Sequence, residues 1–252
     1  AEGALRALDG SSGLSLTDAR VGLVLGFLLV LVAGLPALAL GQLTAATGNP
    51  LTGLFVVSAA LVPLGHGGGP IAGYLWRHEP PGAYGPLFFE LILWALAVLV
   101  LGWGLCRAAG PARGRVPEVL RSRHAGDELE FGWPDGASWL TGLAIAVGGG
   151  LLAYVLVQTG EVGQVIGGLA LGFGVAGWGA YSAFKPTNPL PAMLAPFAAT
   201  GVAYVMAWMG EGTEEAFLSA WYGGVLSGPA LALPVHVASA GVAGVELGRS
   251  EE

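Results

Sequence analysis

Charge is missing from most of this 252-residue chain. No Asp, Glu, Lys or Arg occurs in Val21–Trp76, Leu91–Leu105, Trp139–Gly160, Val162–Phe184, Pro186–Gly210 or Ala216–Val245. Only 11% of residues are charged, against about 25% in an average soluble domain. A charged side chain at the centre of a bilayer costs roughly 2.5–3.5 kcal/mol even on an insertion scale. These runs exclude a water-soluble globular chain and fit segments solvated by hydrocarbon. Cysteine is also scarce. Cys106 stands alone, which excludes an internal disulfide and any multi-cysteine metal, iron–sulfur or CxxC redox centre. Lys185 is the single lysine, so the last apolar run offers no amine for a retinal Schiff base. Ten basic residues stand against 17 acidic ones, a net charge of −7, and no basic stripe is present to hold nucleic acid.

What is present is apolar and small. The chain is 54% hydrophobic and carries 44 glycines without a Gly-X-Y period. Small residues let membrane helices approach closely. About 20 apolar residues cross a hydrocarbon core of about 30 Å. The expected fold is therefore all-α, a polytopic transmembrane helical bundle forming a single integral membrane domain over 1–252 in a cell membrane. Seven spans are expected: Val21–Leu40, Leu51–Trp76, Tyr84–Leu105, Trp139–Val157, Val162–Phe184, Leu190–Met209 and Ala216–Val245. Pro36 marks a kink in the first, and Gly41–Pro50 reads as an uncharged turn. Pro63 and Gly65–Pro70 interrupt the second, and the count falls to six if that stretch only re-enters the membrane. The last is long, so it is either a tilted helix or one broken around Gly228-Pro229 and Pro234.

Basic residues set the expected orientation. Arg107, Arg113, Arg115, Arg121 and Arg123 follow the third span, Lys185 the fifth and Arg249 the seventh. The opposite connections carry Glu161, Glu211, Glu214 and Glu215, with Arg77 the one dissenter. The positive-inside rule puts the N-terminus outside and the C-terminus in the cytoplasm. Residues 1–20 then form an outer N-terminal segment, too polar for a signal peptide, and 107–135 a cytoplasmic loop of mixed charge. Trp76, Trp133, Trp139 and Trp208 fall near span ends, where aromatic anchors belong. Glu246, Glu251 and Glu252 read as solvated.

Three residues in or beside these runs are candidates for function. His66 sits among helix breakers, Gly65, Gly67, Gly68, Gly69 and Pro70. Non-helical backbone at membrane depth must be buried in protein or line a wet cavity, and broken helices offer carbonyls and helix ends to ions. This broken helix is a candidate ligand or ion site. The competing reading ends the span near Leu64 and makes the glycines an external loop. Glu90 lies six residues into the third span, in the same outer half as His66. A His66–Glu90 pair could relay protons, hold an ion or bind a polar ligand; otherwise Glu90 marks the membrane boundary. His236 is placed toward the cytoplasmic side, away from His66, in a polar core beside a small-residue packing face over Ala238–Gly244. It reads more readily as a hydrogen-bonded structural histidine than as a catalytic one.

Gly174-Val175-Ala176-Gly177 and Trp178-Gly179-Ala180-Tyr181, followed by His236 through Gly244, are similar to the nucleophile and histidine regions of rhomboid intramembrane proteases. Alanine occupies the nucleophile position and no His-x-x-x-Asn element is evident. The likeness covers about 75 residues of small-residue pattern shared by many membrane bundles, and no family is assigned on it. It implies an inactive relative of intramembrane proteases.

Two wider readings follow from the residues. One is passage of an ion or small solute, motivated by the broken second span and Glu90. The other is a non-catalytic integral subunit of a larger, energy-transducing membrane complex, motivated by abundant small residues and few buried charges. Partners under these readings are the lipid bilayer and other membrane subunits or further copies of the chain. An enzyme would need His66, Glu90 and His236 to converge on one cleft, and their expected depths differ. No motif names a metal or cofactor.

Overall fold

A computed structural model describes residues 28, 32, 35–47, 50–67, 69–75, 77–78, 82–113, 133–210, 213–223, 226 and 228–249. The expected outer segment 1–20, most of the first span, Gly68, Trp76 and the centre of the 107–135 loop lie outside these residues. The described chain is helical throughout. Its helices are α1 (Leu35–Thr47), α2 (Pro50–Gly67), α3 (Ile71–Leu75), α4 (Tyr84–Arg113), α5 (Gly136–Leu156), α6 (Val162–Phe184), α7 (Leu190–Gly210) and α8 (Glu214–Tyr222). A 3₁₀ turn, Gly228–Leu231, leads into α9 (Pro234–His236), a π-helical turn (Val237–Gly241) and α10 (Val242–Arg249).

Four helices are long and apolar enough to cross a bilayer: Tyr84–Leu105, Gly136–Leu156, Val162–Phe184 and Leu190–Met209. These are the third to sixth expected spans, and the protein is a polytopic helical membrane protein. Their outward faces carry large apolar side chains, among them Leu143, Leu151, Val155 and Val202, each more than half exposed. Water would expel such a surface, whereas lipid solvates it. Trp139 and Trp208 are exposed near helix ends, as interfacial anchors require.

One segment differs from expectation, and another resolves an open alternative. Gly41–Thr47 is helix rather than turn, and α1 and α2 form a tight antiparallel hairpin with Gly41 against Gly53 and Val57. The run Ala216–Val245 takes the second of its two expected forms, broken around Gly228-Pro229 and Pro234. It breaks into α8, the 3₁₀ turn, an extended link at Ala232–Leu233 and the α9–π–α10 helix. Pro229 and Pro234 cannot donate to a helix ladder, and Gly228 has φ +68°, the left-handed region that glycine adopts without cost. A side chain there would also strike the backbone of Tyr154.

That broken segment is the centre of the molecule. Every residue from Gly228 to Glu246 is buried. α2, α4, α6 and α7 surround it, and α5 touches the 3₁₀ turn. The smallness of its residues permits this packing. Gly244 lies against Ala170 and Gly248 against Gly174, so α10 runs parallel to α6 with backbones in contact. Gly241 meets Pro196 of α7.

Candidate functional site

One end of the bundle gathers Tyr84, Glu90, Tyr204 and His236, all of them buried. The start of α4, the ends of α2 and α7, and the 3₁₀ turn meet there. Non-helical backbone must satisfy its own polar groups in a bilayer, and two tyrosines do this for the irregular segment. Tyr84 donates its hydroxyl to the Ala230 carbonyl at 3.1 Å, and Tyr204 donates to the Ala232 carbonyl. Their rings lie 5.3 Å apart, and Phe217 of α8 packs 6.0 Å from Tyr84. Gly228 donates its N–H to Val157 at 2.7 Å, which ties the 3₁₀ turn to the end of α5.

His236 completes the bracing. Leu233 donates its backbone N–H to Nδ1 at 3.1 Å, so Nδ1 is an acceptor and the proton of the neutral ring sits on Nε2. Nε2 donates to the Gly65 carbonyl at 3.0 Å. Gly65 lies in the last turn of α2, whose carbonyls have no partner within their own helix, and Leu233 precedes α9, where the N–H groups are similarly orphaned. One imidazole thus caps two helix ends. A Cβ at position 65 would come within 3.1 Å of His236 Cδ2, so the imidazole would have to give by a few tenths of an ångström. Ser239 bonds back to Val235 at 2.7 Å inside the π turn.

The expectation that His236 lies away from His66 is therefore wrong: the residue before His66 is its hydrogen-bond partner. The error came from counting depth along the last apolar run as though a break there would not hold its later residues back. His66 itself is exposed. Gly65 and Gly67 are still helical, so the α2 ladder passes Pro63 and ends later than the glycine pattern suggests. The break lies at Gly69, with φ +74°, and Pro70, which precedes α3.

Glu90 is 1% exposed, well inside α4 rather than at its boundary. Trp94, one turn on, donates its indole N–H to Glu90 Oε1 at 3.4 Å. Tyr204 lies within electrostatic range of Glu90, Tyr84 and Tyr74. The carboxyl thus lies within range of Tyr204, whose hydroxyl reaches the irregular segment at Ala232.

Sequence reasoning missed Tyr84 and Tyr204, which carry no motif, and misplaced Glu246. Glu246 is 4% exposed, not solvated. Its i,i+3 spacing from Arg249 was the one available signal. The described residues hold no cluster of three or more His, Cys, Asp or Glu able to bind a metal ion.

The protease-like arrangement is not formed. Ala176 abuts Gly148 of α5, and the last-segment residues beside its neighbours Gly174 and Gly177 are Gly244, Val245 and Gly248. His236 lies two turns earlier, against Gly65. No protein-family model, curated protein or solved structure matches the chain.

Proposed function

We propose that the protein passes protons, alone or coupled to a small solute, across the bilayer, with Glu90 as the protonatable group at the outer end. The observation that carries this reading is a buried carboxyl set beside buried irregular backbone at the centre of a membrane bundle. Intramembrane carboxyls are expensive and belong to ion and proton pathways. Broken helices in transporters place their irregular backbone where it lines a pathway. Tyr84 and Tyr204 bring hydroxyls to the carbonyls of Ala230 and Ala232, and Tyr204 lies within electrostatic range of Glu90. His66 is left outside this path.

The test uses purified protein in vesicles loaded with a pH-sensitive dye, with proton entry driven by a potassium diffusion potential. Glu90→Gln keeps an acceptor for Trp94 but cannot ionise, and entry should slow at least tenfold. Equal rates for the variant and the native protein remove Glu90 from the path. Native vesicles no faster than protein-free ones end the passage reading.

A second reading, an integral subunit of a larger membrane complex, is favoured by a groove of about 540 Å³ between α4 and α7. Phe88, Ile92, Ala95, Ala198, Val202 and Met206 line it without a charged group. It opens sideways at membrane depth, where an apolar helix or lipid tail would lie. Mass measurement of the protein extracted from its native membrane in mild detergent separates the two readings.

A further inference from the structure

The last helix holds a second carboxyl that the passage reading leaves unused. Gly244 lies at the level of Ala170 and Gly248 at that of Gly174, so Glu246 falls beside the middle of α6, which runs from Val162 to Phe184. It is a mid-depth carboxyl, not one at the membrane exit. Oε1 is buried and has no hydrogen-bond partner among the described residues. Oε2 pairs with Arg249 Nε at 3.5 Å. A charge-assisted bond is normally about 2.7–2.9 Å, so the pairing is loose. A permanently ionised carboxylate so placed would be costly, because its desolvation is met by one weak contact.

Its surroundings offer few other charges. α2, α6 and α7 pack around α10. Their titratable side chains are His66, Tyr181 and Tyr204, and the charged group that acts on Glu246 is Arg249 on its own helix. A further buried hydroxyl lies toward Glu90. Thr200 of α7 is 0% exposed, and its Oγ1 has no partner among the described residues. Pro196 meets Gly241 and Tyr204 reaches Ala232, so the intervening Thr200 faces the last segment between them.

We propose that Glu246 is a second proton-binding site, at mid-depth, which exchanges its proton with the Glu90 side along the interface of α7 and the broken segment. This rests on the passage reading for its role, but not for its chemistry. The proton adds to the carboxylate at Oε1, and the same O–H bond breaks on release, so no co-reactant is needed. Arg249, whose side chain is 21% exposed, keeps part of its solvation when the carboxyl is neutral.

The experiment is pH-dependent infrared difference spectroscopy on the full chain in lipid vesicles, run beside the dye assay. The native protein should show at least two protonating carboxyl bands from buried acids, one removed by Glu246→Gln and another by Glu90→Gln. Glu246→Gln should also slow proton entry at least tenfold. A Glu246→Gln spectrum retaining every native carboxyl band overturns the inference. Should that variant fail to fold, Arg249→Gln tests the same point. Losing the neighbouring cation must move one band's midpoint to higher pH, and an unmoved set of midpoints refutes the site. Titration of Glu246 without proton entry would leave the site standing and end the passage reading. Proton entry without a Glu246 band would end this inference alone.

Discussion

Removing the His236 imidazole should unfasten α2 from the central segment. Its two nitrogens satisfy the Leu233 N–H and the Gly65 carbonyl, both buried and both at helix ends with no helical partner. His236→Phe keeps a planar ring of similar shape and strands both groups. Each buried unsatisfied group costs about 1–3 kcal/mol. Side-chain hydrogen bonds between membrane helices average only about 0.6 kcal/mol, because the unfolded chain in lipid also finds partners. The expected loss therefore falls at about 2–4 kcal/mol, with a floor of about 1 kcal/mol from two bonds at the membrane average. Reversible unfolding in mixed micelles of rising SDS fraction, followed by circular dichroism, measures it. Two further variants divide the effect. His236→Asn can accept from Leu233 but does not reach Gly65, and His236→Gln can donate to Gly65 but leaves Leu233 unserved. Each should recover part of the loss. A His236→Phe protein within about 0.5 kcal/mol of the native one would refute the clamp, since that is below even the membrane average for one bond.

Two other outcomes test the packing and one end of the bundle. Gly244→Leu should abolish folded protein, because the side chain would enter the Ala170 backbone rather than a movable group, while Gly244→Ala should weaken it by about 1–3 kcal/mol; monodisperse yield from size-exclusion chromatography ranks the two, and native behaviour of the leucine variant would refute the parallel α6–α10 contact. Asp135 caps α5, accepting from the Ser138 N–H at 2.9 Å, and hydrogen bonding by Ser138 lowers its pKa below the ordinary 3.8. Because the folded value is the lower one, the cap's stabilisation is complete above the ordinary value and vanishes as pH falls through the lowered one; Asp135→Ala should melt earlier than the native protein at pH 7, with the difference closing in strong acid, and a difference that persists there would refute an ionic cap.

Much of this architecture is legible in the distribution of charge. The spans at Tyr84–Leu105, Val162–Phe184 and Leu190–Met209 carry the expected bounds, because their ends are marked by Lys185, Glu161, prolines and polar turns. Burial of Glu90 was legible for the same reason: its flanks are apolar on both sides. The contacts of His236 were not. A hydropathy run records how apolar a stretch is, and two helices of equal apolarity give no sign of which faces meet. The helix breakers were misleading in degree. Pro63 and Gly65 look like the stronger interruption, yet α2 continues through both, since neighbouring helices and local adjustment re-satisfy a backbone freed by proline in a membrane.

The last run shows why depth escapes a charge count. Counting assumes that each uncharged stretch crosses from one face to the other at a constant rise. Here the chain spends Gly228–Leu233 in a 3₁₀ turn and an extended link, and begins its helix only at Pro234. The residues after it are displaced toward the end where they entered. His236, expected near the cytoplasmic face, meets the end of α2 instead. Glu246, expected beyond the membrane, is carried to the middle of α6 and buried. Both displacements have one cause. The same irregular stretch also places a carboxyl at a depth where only a proton, a cation or Arg249 can neutralise it.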